Sequence, residues 1–208
     1  MAKTLNATIE LIFDFVSPNA YFAYYPLKDM AAKYGSELLV TPVFLGGMHK
    51  LTGNAPPFIR DAEVKGKNEY AMLEMNRFIA KHGMTNWKMN PKFPFNSVTL
   101  QRLLCGVDAA ERLKLLDLLL PAIWEHGLDA SDPDAIGQAL SSARLDAADL
   151  LSKTQEPTVK QSLMDNTDQA VARGAFGIPT IYVKTGDKSE MFFGKERLGQ
   201  IEELLQSL

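Results

Sequence analysis

The chain has 208 residues, 46% of them hydrophobic and 23% charged, and a formal net charge of −3. That is the balance of a globular protein with room for one sizeable core, and without a basic surplus to neutralise phosphates it argues against a nucleic-acid partner. A single cysteine, Cys105, rules out an intramolecular disulfide, and no apolar run reaches the roughly 18 residues of a membrane span. The start, "MAKTLNATIELIFDF", is broken by polar and charged residues before Leu11 and carries no secretory core segment, so a cytoplasmic location is expected. His49, His82 and His126 are scattered, not spaced as zinc ligands, and no metal is expected. The glycine pair of "FLGGMHK" matches no phosphate-cradling or dinucleotide pattern.

In chain order, "ATIELIFDFV" (residues 7–16) predicts a short buried strand rich in Ile, Leu, Phe and Val. From Pro18 the period changes: Tyr21, Phe22, Tyr25, Leu27, Met30 and Ala31 recur at three and four, which predicts a helix ending at Gly35, with Pro26 as a place for a kink. "ELLVTPVFL" (37–45) predicts a second strand, completing a βαβ unit. "GGMHKLTGNAPPFIRDAEVKG" reads as loop with room for a short helix, and "KNEYAMLEMNRFIAKHG" as a helix. "MTNWKMNPKFPFN" is loop again. "SVTLQRLLCGVDAAERLKLLDLLLPAIWEHG" is helical in pattern, with Pro121 the expected break or kink. "SDPDAIGQALSSARLD" opens with Ser131 or Asp132 as N-cap and Pro133 at the first helical position. Two more helices follow, broken near Pro157. Strands return at 180–184 and 190–193, separated by the hairpin-type "TGDKS", and "KERLGQIEELLQSL" closes the chain as an amphipathic helix.

A βαβ unit, a run of helices and a ββα unit together imply an α/β, thioredoxin-like fold with a large all-helical insertion between its halves. The expected division is residues 1–46 with 175–208 as the thioredoxin-like part and 47–174 as the insertion. Two local signals agree with it. "SPNA" stands at the strand-to-helix turn, where that fold places C-x-x-C. Ile178-Pro179 precedes the third strand, where that fold carries a cis-proline. An X-Pro bond is the kind that adopts cis at low cost, and it would leave the backbone of the preceding residue free to pair with an extended ligand.

With "FDFVSPNAYFA", "TGNAPP", "FPFNSV", "RGAFGIPTIYV" and "FFGKERL" in this order, the sequence resembles the 2-hydroxychromene-2-carboxylate isomerases and the kappa-class glutathione transferases, relatives of bacterial disulfide oxidoreductases. The resemblance covers nearly the whole chain and implies glutathione as cofactor. It implies that Ser17 replaces the nucleophilic cysteine and steadies the glutathione thiolate through its hydroxyl and the positive end of a helix; without it, Ser17 reads as a plain N-cap. Ala20, in place of the second cysteine, makes dithiol–disulfide chemistry unavailable. Asn19 departs from the family's usual tyrosine. The resemblance further implies that Asn54 contacts glutathione, although Asn54 is equally a turn residue before a Pro pair. Ile178 would offer its backbone to the cysteinyl part, with Pro179 as the constraint. Lys195 and Glu196, departures from the family's small polar residue and aspartate, would receive the γ-glutamyl end at a helix N-terminus.

The activity implied is isomerisation of a 2-hydroxychromene-2-carboxylate-like aromatic compound: thiolate addition, bond rotation and elimination. The alternative is kappa-type transfer of glutathione to electrophiles, and the second alternative a non-catalytic thiol- or peptide-binding module. A homodimer is expected by analogy with relatives. Other residues carry less. Cys105 reads as a small core residue. His49 and Lys50 stand where a pocket border or a solvated loop would be. Trp87, Phe93 and Phe95 either wall a pocket or pack the insertion, and Asn96 is either a helix cap or a polar pocket group. Met72, Met75, Met84 and Met89 read as core packing.

Overall fold

The computed structural model describes residues 7–208; residues 1–6, part of the segment read for a leader and of the 1–46 unit, lie outside the described residues. β1 (Ala7–Phe13), α1 (Pro18–Tyr34) and β2 (Glu37–Pro42) form the βαβ unit. Helices α2 (Leu45–Thr52), α3 (Pro57–Arg60), α4 (Lys67–His82), α5 (Val98–Cys105), α6 (Ala109–Trp124), α7 (Pro133–Ser142), α8 (Ala147–Lys153) and α9 (Pro157–Ala172) follow. β3 (Thr180–Thr185), β4 (Lys188–Phe193), a 3-10 turn (Lys195–Arg197) and α10 (Leu198–Gln206) end the chain. The sheet order is β2-β1-β3-β4, with β1 parallel to β2 and antiparallel to β3, and β3 antiparallel to β4.

β1 is the central strand. Leu11, Ile12 and Phe13 are consecutive and fully buried, so both faces of the strand are covered. α1 packs with α10, while α5, α6 and α9 pack on β2. One hydrophobic cluster joins Ile9, Leu11 and Phe13 of the sheet to Leu103, Leu119 and Trp124 of the inserted helices. β4, at the sheet edge, leaves Lys188, Ser189 and Glu190 exposed, charged and polar residues that discourage pairing with another chain. Among the described residues no helix is long and apolar enough to cross a membrane.

Several boundaries differ from expectation for identifiable reasons. β1 stops at Phe13 and not at residue 16, because Asp14 to Ser17 form a turn closed by Ser17 N–H donating to the Asp14 carbonyl at 3.1 Å. β2 ends at Pro42, and the glycine pair expected in a loop lies inside α2. There the Phe44 ring folds over the helix: a Cβ on Gly46 would come within 2.9 Å of it, and one on Gly47 within 3.1 Å. The glycines serve close packing, not loop geometry. The long helical run breaks at Gly106–Asp108 and not at Pro121, which sits inside α6. Asp108 caps the new helix by accepting Glu111 N–H at 2.8 Å, and Arg112 donates to the Leu104, Val107 and Val40 carbonyls. Asp132 is the N-cap of α7, as one of the two expectations had it. The β3–β4 turn is Gly186-Asp187 alone, since Thr185 already pairs with Lys188.

Candidate active site

The C-terminal end of β1 delivers Ser17 to the start of α1. Ser17 has extended backbone (φ −89°, ψ 112°), is buried, and accepts the Ala20 N–H on its Oγ at 3.3 Å, with Pro18 at the first helical position. It is therefore a true N-cap. Its hydroxyl also donates to the Ile178 carbonyl at 3.3 Å. That is long for an O–H···O bond, so the proton can turn toward another acceptor at small cost.

The turn carrying Ser17 is held on every side by buried polar side chains. Gln101 of α5, fully buried, donates from Nε2 to the Phe13 and Val43 carbonyls at 2.7 and 2.8 Å and faces Phe15 N–H with its oxygen. Trp124 donates from its indole nitrogen to the Phe15 carbonyl at 3.1 Å. Asp14, also fully buried, accepts Val16 N–H at 3.1 Å and Leu45 N–H at 2.8 Å. Burial pushes the Asp14 carboxyl up to about 6, against the opposing pull of the Ser97 side chain and the two backbone donors.

Facing Ser17 is the loop before β3. The Ile178-Pro179 bond is cis, as expected for this fold. Ile178 N–H has no hydrogen-bond partner among the described residues, but its carbonyl is taken by Ser17 and is not free. Asn54 follows the αL glycine Gly53 that ends α2. Its Nδ2 donates to the Phe176 carbonyl at 2.7 Å, and its Oδ1 accepts Ala55 N–H at 2.8 Å and the Arg60 guanidinium at 3.3 Å. Asn54 thus ties the end of α2 to the cis-proline loop. On the far side, Gly194 (φ +88°) donates its N–H to the Pro179 carbonyl at 3.0 Å. Lys195 and Glu196 come next, in a 3-10 turn that precedes α10 and not at the start of a regular helix. Lys195 is buried, its ammonium 5.5 Å from the Phe78 ring centre, and it pairs with the carboxylate of exposed Glu196. All six expected site residues therefore gather at one end of the sheet.

The family model for a DSBA-like thioredoxin domain matches residues 8–206. The chain belongs to that family. Within it, the chain is 27% identical over 208 residues to the 2-hydroxychromene-2-carboxylate isomerase of Sphingobium xenophagum, covering 97% of this chain and 99% of that one. It is 26% identical over 209 residues to human glutathione S-transferase kappa 1, covering 97% and 92%. A solved 2-hydroxychromene-2-carboxylate isomerase superposes with a TM-score of 0.81 at 22% identity, over 96% of this chain and 95% of that one, which shows the shared fold.

In this DSBA-like chain the second position of the thiol pair is Ala20, and Cys105 is half-buried on α5 with its thiol pushed up to about 11 by burial. Burial thus disfavours the thiolate form of Cys105. Trp87, Phe93 and Phe95 all pack around Trp124, at 6.2, 6.0 and 5.7 Å between ring centres, so they join the insertion to the Ser17 turn. Asn96 accepts Val98 N–H at 3.0 Å in the turn before α5, whose N-cap position is Ser97. Lys50 is exposed, and His49 is half-buried on α2. The core reading of the methionines fails for Met72 and Met89, which are exposed. A groove of about 470 Å³ runs along α1 past Tyr21 and Tyr25 to His82 and Glu125, and none of the six site residues lines it. Asp14 and Gln101 were not legible as site residues, since neither belongs to a catalytic pattern; the one cue was a charged residue at the end of an apolar strand.

Proposed function

We propose that this protein is a glutathione-dependent isomerase of 2-hydroxychromene-2-carboxylate-like aromatic compounds. The observation that carries the reading is the Ser17 hydroxyl, at the N-terminus of α1 and 3.3 Å from the carbonyl that precedes cis Pro179. Glutathione, when bound, supplies a thiolate that adds to an unsaturated carbon of the substrate and leaves it again. Ser17 donates a hydrogen bond to the sulfur, and the first turn of α1 adds its positive end. The unpartnered Ile178 N–H receives the cysteinyl backbone, with Pro179 shaping the loop. Asn54 keeps that loop in place and offers the remaining capacity of its amide. The N–H groups of Lys195 and Glu196 receive the γ-glutamyl end, and the Glu196 carboxylate shares its charge between Lys195 and the ligand's ammonium. With Ala20 in the second position and a single cysteine in the sequence, the chain has no dithiol for intramolecular disulfide exchange.

Kappa-type transfer is the second reading, supported by the likeness to the human relative over nearly the whole chain; Ser17 serves both. We also read residues 1–46 with 175–208 as the thioredoxin-like part and 47–174 as its insertion, and the protein as a cytoplasmic homodimer acting in aromatic catabolism. The test combines calorimetric titration of glutathione with assays on a chromene carboxylate and a model electrophile, using wild type and Ser17→Ala. Saturable binding and turnover that drops about 100-fold in the variant are expected. Turnover unchanged by Ser17→Ala would remove the serine from the mechanism.

A further inference from the structure

We propose that Asp14 is the positioning residue of the Ser17 site, the point at which a closed ring of contacts around the serine is fastened. The inference rests on the reading of Ser17 as the partner of a thiolate. The ring can be followed bond by bond. The Asp14 carbonyl accepts Ser17 N–H at 3.1 Å, and its Oδ1 accepts Val16 N–H at 3.1 Å, so main chain and side chain of one residue fix the turn from both sides. Ser17 Oγ reaches the Ile178 carbonyl. Two residues before Ile178, the Phe176 carbonyl is held by Asn54 at the end of α2. α2 begins at Leu45, and Leu45 N–H donates to Asp14 Oδ2 at 2.8 Å, which closes the ring. The carboxylate therefore sets both the height of the Ser17 hydroxyl and the seat of the helix that holds the opposing loop.

A carboxylate is the group this place requires. Asp14 is fully buried and has no cationic partner among the described residues. Its neighbours are all donors: two backbone N–H groups and the side chain of buried Ser97. An ionised carboxylate accepts at both oxygens. Asparagine has the same shape, but one of its ends is an NH2 that would confront a backbone N–H and leave it unpaired. A buried charge without a counter-ion is costly, so its presence three residues before Ser17 favours a role in the site over one in stability alone.

The experiment is a spectroscopic titration of the thiol of bound glutathione, with Asp14→Asn made in the wild-type and Ser17→Ala backgrounds. Removing a nearby negative charge would by itself lower the thiol pKa; loss of positioning raises it. The expected result is a rise of about one unit in the Ser17 background, tenfold less thiolate at a given lower pH, and no rise in the Ser17→Ala background. Should Asp14→Asn not fold, Ser97→Ala removes one donor to the same carboxylate and is expected to give a smaller rise. No rise in the variant measured, or an equal rise in both backgrounds, overturns the proposal while leaving the role of Ser17 intact. Failure of wild type to bind glutathione would instead overturn the reading of Ser17 and this proposal with it.

Discussion

The turn from Phe13 to Ser17 and the pair α3–α4 are built on opposite plans. In the turn, Gln101, Trp124 and Asp14 spend buried hydrogen-bonding groups on a handful of backbone atoms, across sequence separations of up to 109 residues. In α3 and α4 no residue is fully buried, and Phe58, Ile59, Tyr70, Met72 and Leu73 are exposed. Buried polar networks are stable only when every member is satisfied. A chain that accepts that constraint at one place fixes a geometry there. The turn presents the hydroxyl on which the proposed chemistry depends, whereas α3–α4 leaves much of its apolar surface exposed.

Breaking the turn should have the largest effect. Gln101→Leu keeps the volume but strands the Val43 carbonyl and the Phe15 N–H in the core, while the Phe13 carbonyl keeps the Val43 N–H at 3.0 Å; it is expected to cost about 2–4 kcal/mol in denaturant unfolding. A cost below about 1 kcal/mol would mean water replaces the amide. Next comes the pH dependence. The folded Asp14 carboxyl is raised from 3.8 to about 6. Between those values the folded state holds a proton that the unfolded state has released, so this group's contribution falls as pH rises through the window and stays low above it. Wild type should lose roughly 2–3 kcal/mol relative to Asp14→Asn between about pH 4 and pH 6; parallel stability curves would contradict the burial of the charge. Trp124→Phe removes the bond to Phe15 while keeping a ring in the aromatic cluster, and should cost about 1–2 kcal/mol in thermal unfolding. The contrast is sharpest at the other end. Tyr70→Ser on α4 should change stability by less than about 0.5 kcal/mol, and a larger loss would show that this face is covered in the native assembly.

Much of the frame was legible because it is local. A serine followed by proline at the end of an apolar strand predicts a capped helix, and Ser17 caps α1. The thioredoxin-like reading implies a cis bond at Ile178-Pro179, and the bond is cis. What escaped is long-range. Gln101 reads as an ordinary polar position in a helix until β1 and β2 are placed beside it, and Asp14 reads as a strand end until Leu45, 31 residues on, is seen to need an acceptor. The glycine pair misled for the same reason. Gly46 and Gly47 look like loop residues because the ring that requires their small size, Phe44, packs on them only once α2 has formed. The family resemblance puts Lys195 at a helix start, whereas Lys195 opens a 3-10 turn ahead of α10.

The most direct test of the account is the ionisation of glutathione bound to the protein, followed spectroscopically against pH for wild type and Ser17→Ala. The account predicts a thiol pKa in wild type at least about one unit below the roughly 8.5 of a free thiol, returning toward that value when the Ser17 hydroxyl is removed. Identical titrations for the two proteins, or a bound thiol no more acidic than the free one, would contradict it and leave Ser17 as the cap of α1 and nothing more.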